Sequence, residues 1–264
     1  MPVDVFISHI TEESGLATIL KDALLDGFDN RISVFVSSDK GASLPMGEDY
    51  IRNIEKALQE CKVALILISN KSVNRNWINL ESGVLWMRKL SDPTFPIIPV
   101  CHSGFRVSDL QLPFKTWQAA SANNIDSLTQ IISTISKKVS TAGDFCIDFN
   151  MDFLHRDICS KENEYMLLND FERVLTMCKF SAPKDFIEQI LTRPTSNVYE
   201  SRLDIVQSTF LEIQSIISGN PLLARCVSLK QTGGMFIGAE LTLGFQIKST
   251  LRIDIDTLQS IIKN

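Results

Sequence analysis

The first 140 residues predict an α/β fold, a doubly wound parallel five-stranded sheet, and the remainder predicts a smaller C-terminal α+β domain. Three observations carry this reading. Apolar runs of strand length alternate with amphipathic helical patterns as far as Ser140; the third run, residues 63–68, is apolar at every position; and after Ser140 the alternation stops. Alternation implies right-handed crossovers between parallel strands. An unbroken apolar run is what a strand covered on both faces requires.

Residues 3–8 form the first apolar run, and Leu16, Ile19, Leu20, Ala23 and Leu24 then recur at helical spacing before Gly27 stops the helix. The second run, 32–36, is β-branched and aromatic. It leads through the polar stretch SSDKGASLPMGED into a helix with Ile51, Ile54, Ala57 and Leu58 on one face. Residues 63–68 mark the centre of the sheet. A polar connection, 70–76, precedes a helix over 77–90 that Asp92-Pro93 ends. Residues 96–101 supply a fourth strand and 115–119 a weaker fifth, followed by a helix with Ile125, Leu128, Ile131, Ile132 and Ile135 on its buried side. Such a sheet is flavodoxin-like, and its ligands sit beyond the carboxyl ends of the strands. That directs attention to the loops after Ile7, Val36 and Ile68.

Thr141-Ala142-Gly143-Asp144 reads as a hinge, which sets domains at 1–140 and 151–264 joined by a linker at 141–150. Beyond it helices are expected at 162–178, 183–191 and 201–217, the last broken by Gly219-Asn220-Pro221. Two β-like runs, 224–230 and 235–248, flank Gly233-Gly234, a hairpin signal, and a short helix from Thr257 closes the chain. A winged helix is one form that this order allows.

The chain carries 26 basic and 31 acidic side chains, a net charge of -5, and neither half is basic. Nucleic acid and anionic membrane are therefore not expected as partners. The six cysteines are scattered without CxxC or Cys/His spacing, so no metal site is expected and free thiols in a reducing cytosol account for them. The opening decapeptide lacks the features of a signal peptide, and no apolar run approaches the ~18 residues that span a bilayer. A cytoplasmic location is the expectation.

Motifs narrow the fold. Asp4-Val5-Phe6-Ile7-Ser8-His9 resembles the first box of a TIR domain, an acidic residue before an apolar strand that ends in Ser. Val34-Phe35-Val36, Gly47 and the Ile51, Ile54, Ala57 helix are similar to that family's second strand, BB loop and following helix. The run ALILISNKSVNRNWINLE resembles its third strand and the helix bearing Trp-x-x-x-Glu, here Trp77 and Glu81. The resemblance covers residues 1–140, and it resembles the arrangement of prokaryotic antiviral TIR effectors.

Trp77 and Glu81 are four residues apart on a helix and share a face. Cleavage of the nicotinamide N-glycosidic bond of NAD+ passes through a transition state with cationic character on the ribose, which a neighbouring carboxylate stabilises. Nicotinamide leaves neutral and needs no general acid, so one Glu suffices. The resemblance makes Glu81 catalytic and Trp77 an aromatic wall beside the substrate; a core aromatic and a solvated helix-face acid are the structural alternatives. Ser8, His9, Phe35 and Lys40 are the further substrate-binding candidates: Ser8 and His9 end the first strand, Phe35 is on the second, and Lys40 is a point charge for a phosphate. Some NAD+-cleaving members carry basic residues just after the first box, where this chain has Ile10 and Thr11; Lys40, Lys71 and Arg75 are the cations left for the pyrophosphate. The aromatic that some members place soon after the BB-loop glycine is delayed here to Tyr50. His102 and His155 have no constellation around them in the sequence.

The resemblance implies an NAD+ glycohydrolase or cyclase with NAD+ as substrate and no cofactor, active on self-association through the TIR domain, with a C-terminal domain that receives an unknown activating ligand or protein. Its context would be antiviral defence or immune signalling. The alternatives are a non-catalytic TIR adaptor and a nucleoside deoxyribosyltransferase-like enzyme. A dinucleotide-binding dehydrogenase lacks its GxGxxG after the first strand.

Overall fold

The computed structural model describes residues 3–38, 50–139, 149–192, 198–237 and 245–263. Two compact units divide the chain, residues 1–163 and 164–264.

In the first unit β1 (Val5–His9), α1 (Ser14–Gly27), β2 (Val34–Ser38), α2 (Tyr50–Glu60), β3 (Val63–Ile68), α3 (Asn76–Ser91), β4 (Ile97–Cys101), β5 (Ala120–Ser121) and α4 (Ile125–Val139) follow in that order. The strands form one parallel sheet, β2-β1-β3-β4-β5. This is the expected flavodoxin-like architecture. The order reverses between β1 and β3, which opens a crevice at the carboxyl ends of those strands.

All six β3 side chains are fully buried, because the two-residue period of a strand feeds two cores at once. Val63, Leu65 and Leu67 join the core with α1 and α4, whereas Ala64, Ile66 and Ile68 join the core with α2 and α3. At the opposite, amino end of the sheet Asp4 fixes the strands: its carboxylate accepts the Ser33 N–H at 2.9 Å and pairs with Lys62 at 2.8 Å. The acidic residue of the first box thus has a structural use, holding the starts of β1, β2 and β3 together.

The fifth strand differs from expectation. A 3-10 turn at Phe114–Thr116 takes the first two residues of 115–119, and β5 forms later, with Ala120 opposite Val100 and Ser121 opposite Cys101. Phe114 and Trp117, in edge contact at 6.0 Å and both buried, draw this segment onto the core instead.

Helix α1 ends at Gly27, where a Cβ would clash with the Phe149 ring. That ring is itself held edge-on against Phe28 at 5.4 Å. Gly27→Ala is therefore expected to destabilise the first unit by about 1–3 kcal/mol through overpacking, read as a lower urea midpoint with an unchanged slope.

Helix α5 (Met151–Met177) starts earlier than the expected helix at 162. Its first half places Leu154 and Ile158 in the core of the first unit, and its second half places Leu167, Phe171, Val174 and Leu175 in that of the second. The division between the units accordingly falls inside α5, while most of the expected 141–150 connection lies outside the described residues.

The second unit continues with α6 (Pro183–Thr192), β6 (Val198–Val206), α7 (Gln207–Gly219), α8 (Pro221–Cys226), β7 (Val227–Ile237), β8 (Phe245–Asp254) and α9 (Ile255–Lys263). Its antiparallel sheet runs β6-β8-β7. It is the smaller α+β domain that was expected, with three local differences. The helix expected over 201–217 begins only at Gln207, because Tyr199, Leu203 and Ile205 alternate inward as a strand. Residues 224–226 belong to α8, whose first turn is capped by the Asn220 side chain accepting from the N–H groups of Leu222 and Leu223. Gly233-Gly234 lies within β7, where the register shifts between Gln231 and Met235, and the connection to β8 at 238–244 is outside the described residues. The order helix, strand, helix, helix, strand, strand, with β8 between the other two strands, is that of a winged helix. Its six-residue α8 carries one basic side chain, Arg225.

Among the described residues no helix is long and apolar enough to cross a membrane.

Candidate functional site

Ile78, Glu81, Ser82 and Leu85 recur at three- and four-residue spacing and are the buried residues of α3. Ile78 and Leu85 anchor the helix on the sheet face that carries Phe6 and Ile66. Glu81 shares this inward face and is 1% exposed. Its carboxylate meets two strand ends. Ser8 Oγ donates to Oε2 at 2.5 Å, and Ser37 Oγ donates to Oε1 at 2.5 Å. The parallel register sets Ser8 directly opposite Ser37, so β1 and β2 present a matched pair of hydroxyls at their carboxyl ends.

Burial pushes the Glu81 carboxyl up from 4.5 to about 7. The hydroxyls of Ser37 and Ser8 and, more weakly, the Trp77 indole N–H act the other way by favouring the charged form. Desolvation outweighs them. The group is poised near neutrality, with its charged form held by hydroxyls from two strands.

The remaining sequence candidates fall in different places. Trp77 is partly buried against the same core as Phe6 and beside Glu81. Phe35 packs in parallel on Phe6 at 5.8 Å between centroids, two residues below Ser37 on the same face of the sheet; it forms the wall beneath the serines. His9 is 1% exposed, buried and not at the surface, and strand alternation turns it to the opposite side of β1 from Ser8. Lys40 and Gly47 lie outside the described residues. Ile10, the first residue after that box, is wholly buried in the core and its N–H donates to Glu13. Arg75 is 3.5 Å from the Glu12 carboxylate.

A second polar cluster fills the crevice beside β1 and β3. Glu13, 1% exposed, accepts the Ile10 N–H at 3.1 Å, the Ser69 hydroxyl at 2.6 Å and His102 Nε2 at 3.1 Å. With Nε2 donating, Nδ1 of His102 accepts from Ser103 Oγ at 2.9 Å, a tautomer that the network assigns. The Ser103 N–H in turn donates to Glu162 at 2.8 Å. Burial raises the Glu162 carboxyl. Ser103 and Gly104 adopt φ of 50° and 80°, a left-handed pair that turns the chain sharply after β4. The cluster ties the carboxyl ends of β1, β3 and β4 together.

His102 therefore has a constellation, contrary to the sequence reading, and its partner Glu13 is 89 residues away. Ser37 was missed as well. The available signal was positional: Ser8, Ser37, Ser69 and His102 each end or directly follow a parallel strand. His155 lies 2.9 Å from the Asn123 carbonyl and 3.4 Å from Cys159.

Among the described residues no group of His, Cys, Asp and Glu has the makings of a metal site, and five cysteines are free. A surface pocket bounded by Lys89, Pro96, Trp117, Gln118, Ser127 and Thr134 includes none of the candidate residues.

The site therefore offers one buried carboxylate, held by serines beside an indole, at the strand ends of a doubly wound sheet. Residues 5–134 match the family model for the TIR domain. Over 100 residues the chain is 29% identical to the NAD(+) hydrolase TcpC of Escherichia coli O6:H1, a match covering 38% of this chain and 31% of that protein. The chain thus spans about a third of the length of the curated relative it matches.

Proposed function

Residues 5–134 are a TIR domain, and we propose that Glu81 within it cleaves the nicotinamide N-glycosidic bond of NAD+. The observation that carries this is the Glu81 carboxylate itself, buried at the ends of β1 and β2 between Ser8, Ser37 and Trp77. Similarity to a protein named as an NAD(+) hydrolase supports the substrate.

In this reading the ribose lies against the ionised carboxylate, which stabilises the positive charge that grows at the sugar as the bond to nicotinamide breaks. The bonding pair leaves with nicotinamide, which departs neutral. Water then bonds to the anomeric carbon and loses a proton, giving ADP-ribose; attack by another part of the nucleotide would give a cyclic isomer. Ser8 and Ser37 orient the carboxylate and favour its charged form, and Trp77 walls the sugar or nicotinamide. Because both carboxylate oxygens are occupied and Glu81 is 1% exposed, substrate entry requires the site to open. That requirement supports an activity gated by assembly, with the second unit receiving a ligand or protein signal, as an antiviral or immune effector needs.

The pH profile follows from Glu81. Its neutral form cannot stabilise the cation, so kcat/KM for NAD+ is expected to rise with pH through about 7, where an ordinary carboxylate would already be fully ionised. Ser37→Ala removes the strongest of the donors that favour the charge, and its half-maximal pH is expected above that of the unsubstituted protein. Nicotinamide release from NAD+ by assembled protein, followed by chromatography, tests the whole reading. Assembled protein that releases none would leave a TIR adaptor, for which Glu81 is a buried brace; cleavage of deoxynucleosides instead of NAD+ would point to deoxyribosyl transfer.

A further inference from the structure

Helix α3 is apolar on both sides. Ile78 and Leu85 fill the core, but Leu80, Val84, Trp86, Met87 and Leu90 are 60%, 41%, 41%, 66% and 65% exposed on the other face. Five of the large exposed hydrophobic side chains among the described residues thus crowd into eleven consecutive positions. Large apolar side chains on both sides of a helix normally mean that both sides are covered. These side chains leave roughly 500 Å² of apolar surface open, at the upper end of what a monomer shows as a single patch, and most of the ~800 Å² per partner that a stable interface buries.

The order of side chains identifies the occupant. About a point at residue 85, Leu80 mirrors Leu90 and Gly83 mirrors Met87, while Val84 and Trp86, two positions apart, flank that seam on opposite sides. An antiparallel pair of identical helices related by a two-fold axis there sets each residue against its mirror on the other copy, which is the self-complementarity of an isologous contact. Gly83 leaves room for this packing, with open space where a Cβ would stand. Met87 is the knob. The exposed positions of α3, from Asn76 and Asn79 to Leu90 and Ser91, carry no charge, so two copies approach without like-charge repulsion.

We infer that this face of α3 binds the same face of a second copy of the chain, the Met87 side chain of each copy seated over Gly83 of the other. The inference rests on the proposed NAD+ cleavage only in its consequence: Trp77 and Glu81 project from the inner side of the same helix, so docking would hold the catalytic helix in place.

The test uses the full chain in sedimentation velocity over a concentration series, with nicotinamide release measured in parallel. The unsubstituted protein is expected to associate, and Met87→Glu to weaken association at least ~100-fold. Met87 is exposed, so circular dichroism should show an unaltered fold. Two double variants decide the geometry: Gly83→Glu with Met87→Glu, and Gly83→Lys with Met87→Lys. Each alone should be monomeric, and an equimolar mixture should pair. Monomeric unsubstituted protein, undiminished association of Met87→Glu, or a mixture that fails to pair would each overturn the inference. Association by this face without nicotinamide release would uphold it and overturn the proposed activity instead.

Discussion

Replacing Glu81 by glutamine is expected to abolish nicotinamide release while making the protein more stable at pH 8. The activity loss should be about 10²–10³-fold or more, the range for losing an electrostatic contact with charge that develops in the transition state. The gain in stability comes from the same carboxylate. Its folded-state value, about 7, is raised above the 4.5 of an exposed carboxyl, so folding binds a proton and the raised group favours the folded state fully only below about pH 4.5. As pH rises through 7 that advantage is lost and the cost of a buried charge appears in full. A shift of this size corresponds to about 3 kcal/mol. Glutamine is uncharged, can still accept from one serine and donate to the other, and avoids that cost. Urea titrations at pH 5 and pH 8 check it: the glutamine variant should gain on the unsubstituted protein as pH rises. A variant that loses activity and stability equally at both values would mean that Glu81 is a brace and not a strained reactive group.

The second large effect is expected at Glu13. Glu13→Ala should destabilise the first unit by about 3–5 kcal/mol, because one truncation removes the buried acceptor that the Ile10 N–H, the Ser69 hydroxyl and His102 Nε2 share. The loss would exceed that of truncating a surface ion pair such as Arg106–Asp109, with Arg106 76% exposed, by several-fold. Glu13→Gln keeps the shape and two acceptor lone pairs and should cost less. The urea midpoint reads the difference, with the slope unchanged if the unfolded state is unaltered. Equal midpoints for alanine and the unsubstituted protein would mean that the cluster contributes no net stability.

Much of this was legible in the sequence. The helical recurrence of Leu16, Leu20 and Leu24, the unbroken apolar run of β3 and the breaks at Gly27 and Asp92-Pro93 are local signals, and the elements they predict form where expected. Where two local signals competed, tertiary contact decided. Residues 201–206 have apolar positions that suit either a helix or a strand, and pairing with β8 makes them strand. Gly233-Gly234 looks like a turn but is absorbed into β7 by a register shift.

The site divides in the same way. Spacing alone put Trp77 and Glu81 on one helix face, and the strand-end position of Ser8 was visible. That Glu81 is reached by Ser8 and Ser37 together, from 73 and 44 residues away, depends on the parallel register of β1 and β2. That His102 belongs with Glu13 depends on β4 ending beside β1 and β3. Periodicity along a chain records which face of an element is buried. It carries no record of which distant polar groups meet there, because hydrogen-bond partners and desolvation are properties of the packed crevice. The sequence by itself determined the sheet, its helices and the catalytic candidate; only the tertiary structure supplied the hydroxyls that hold the Glu81 carboxylate and the burial that brings it to about 7.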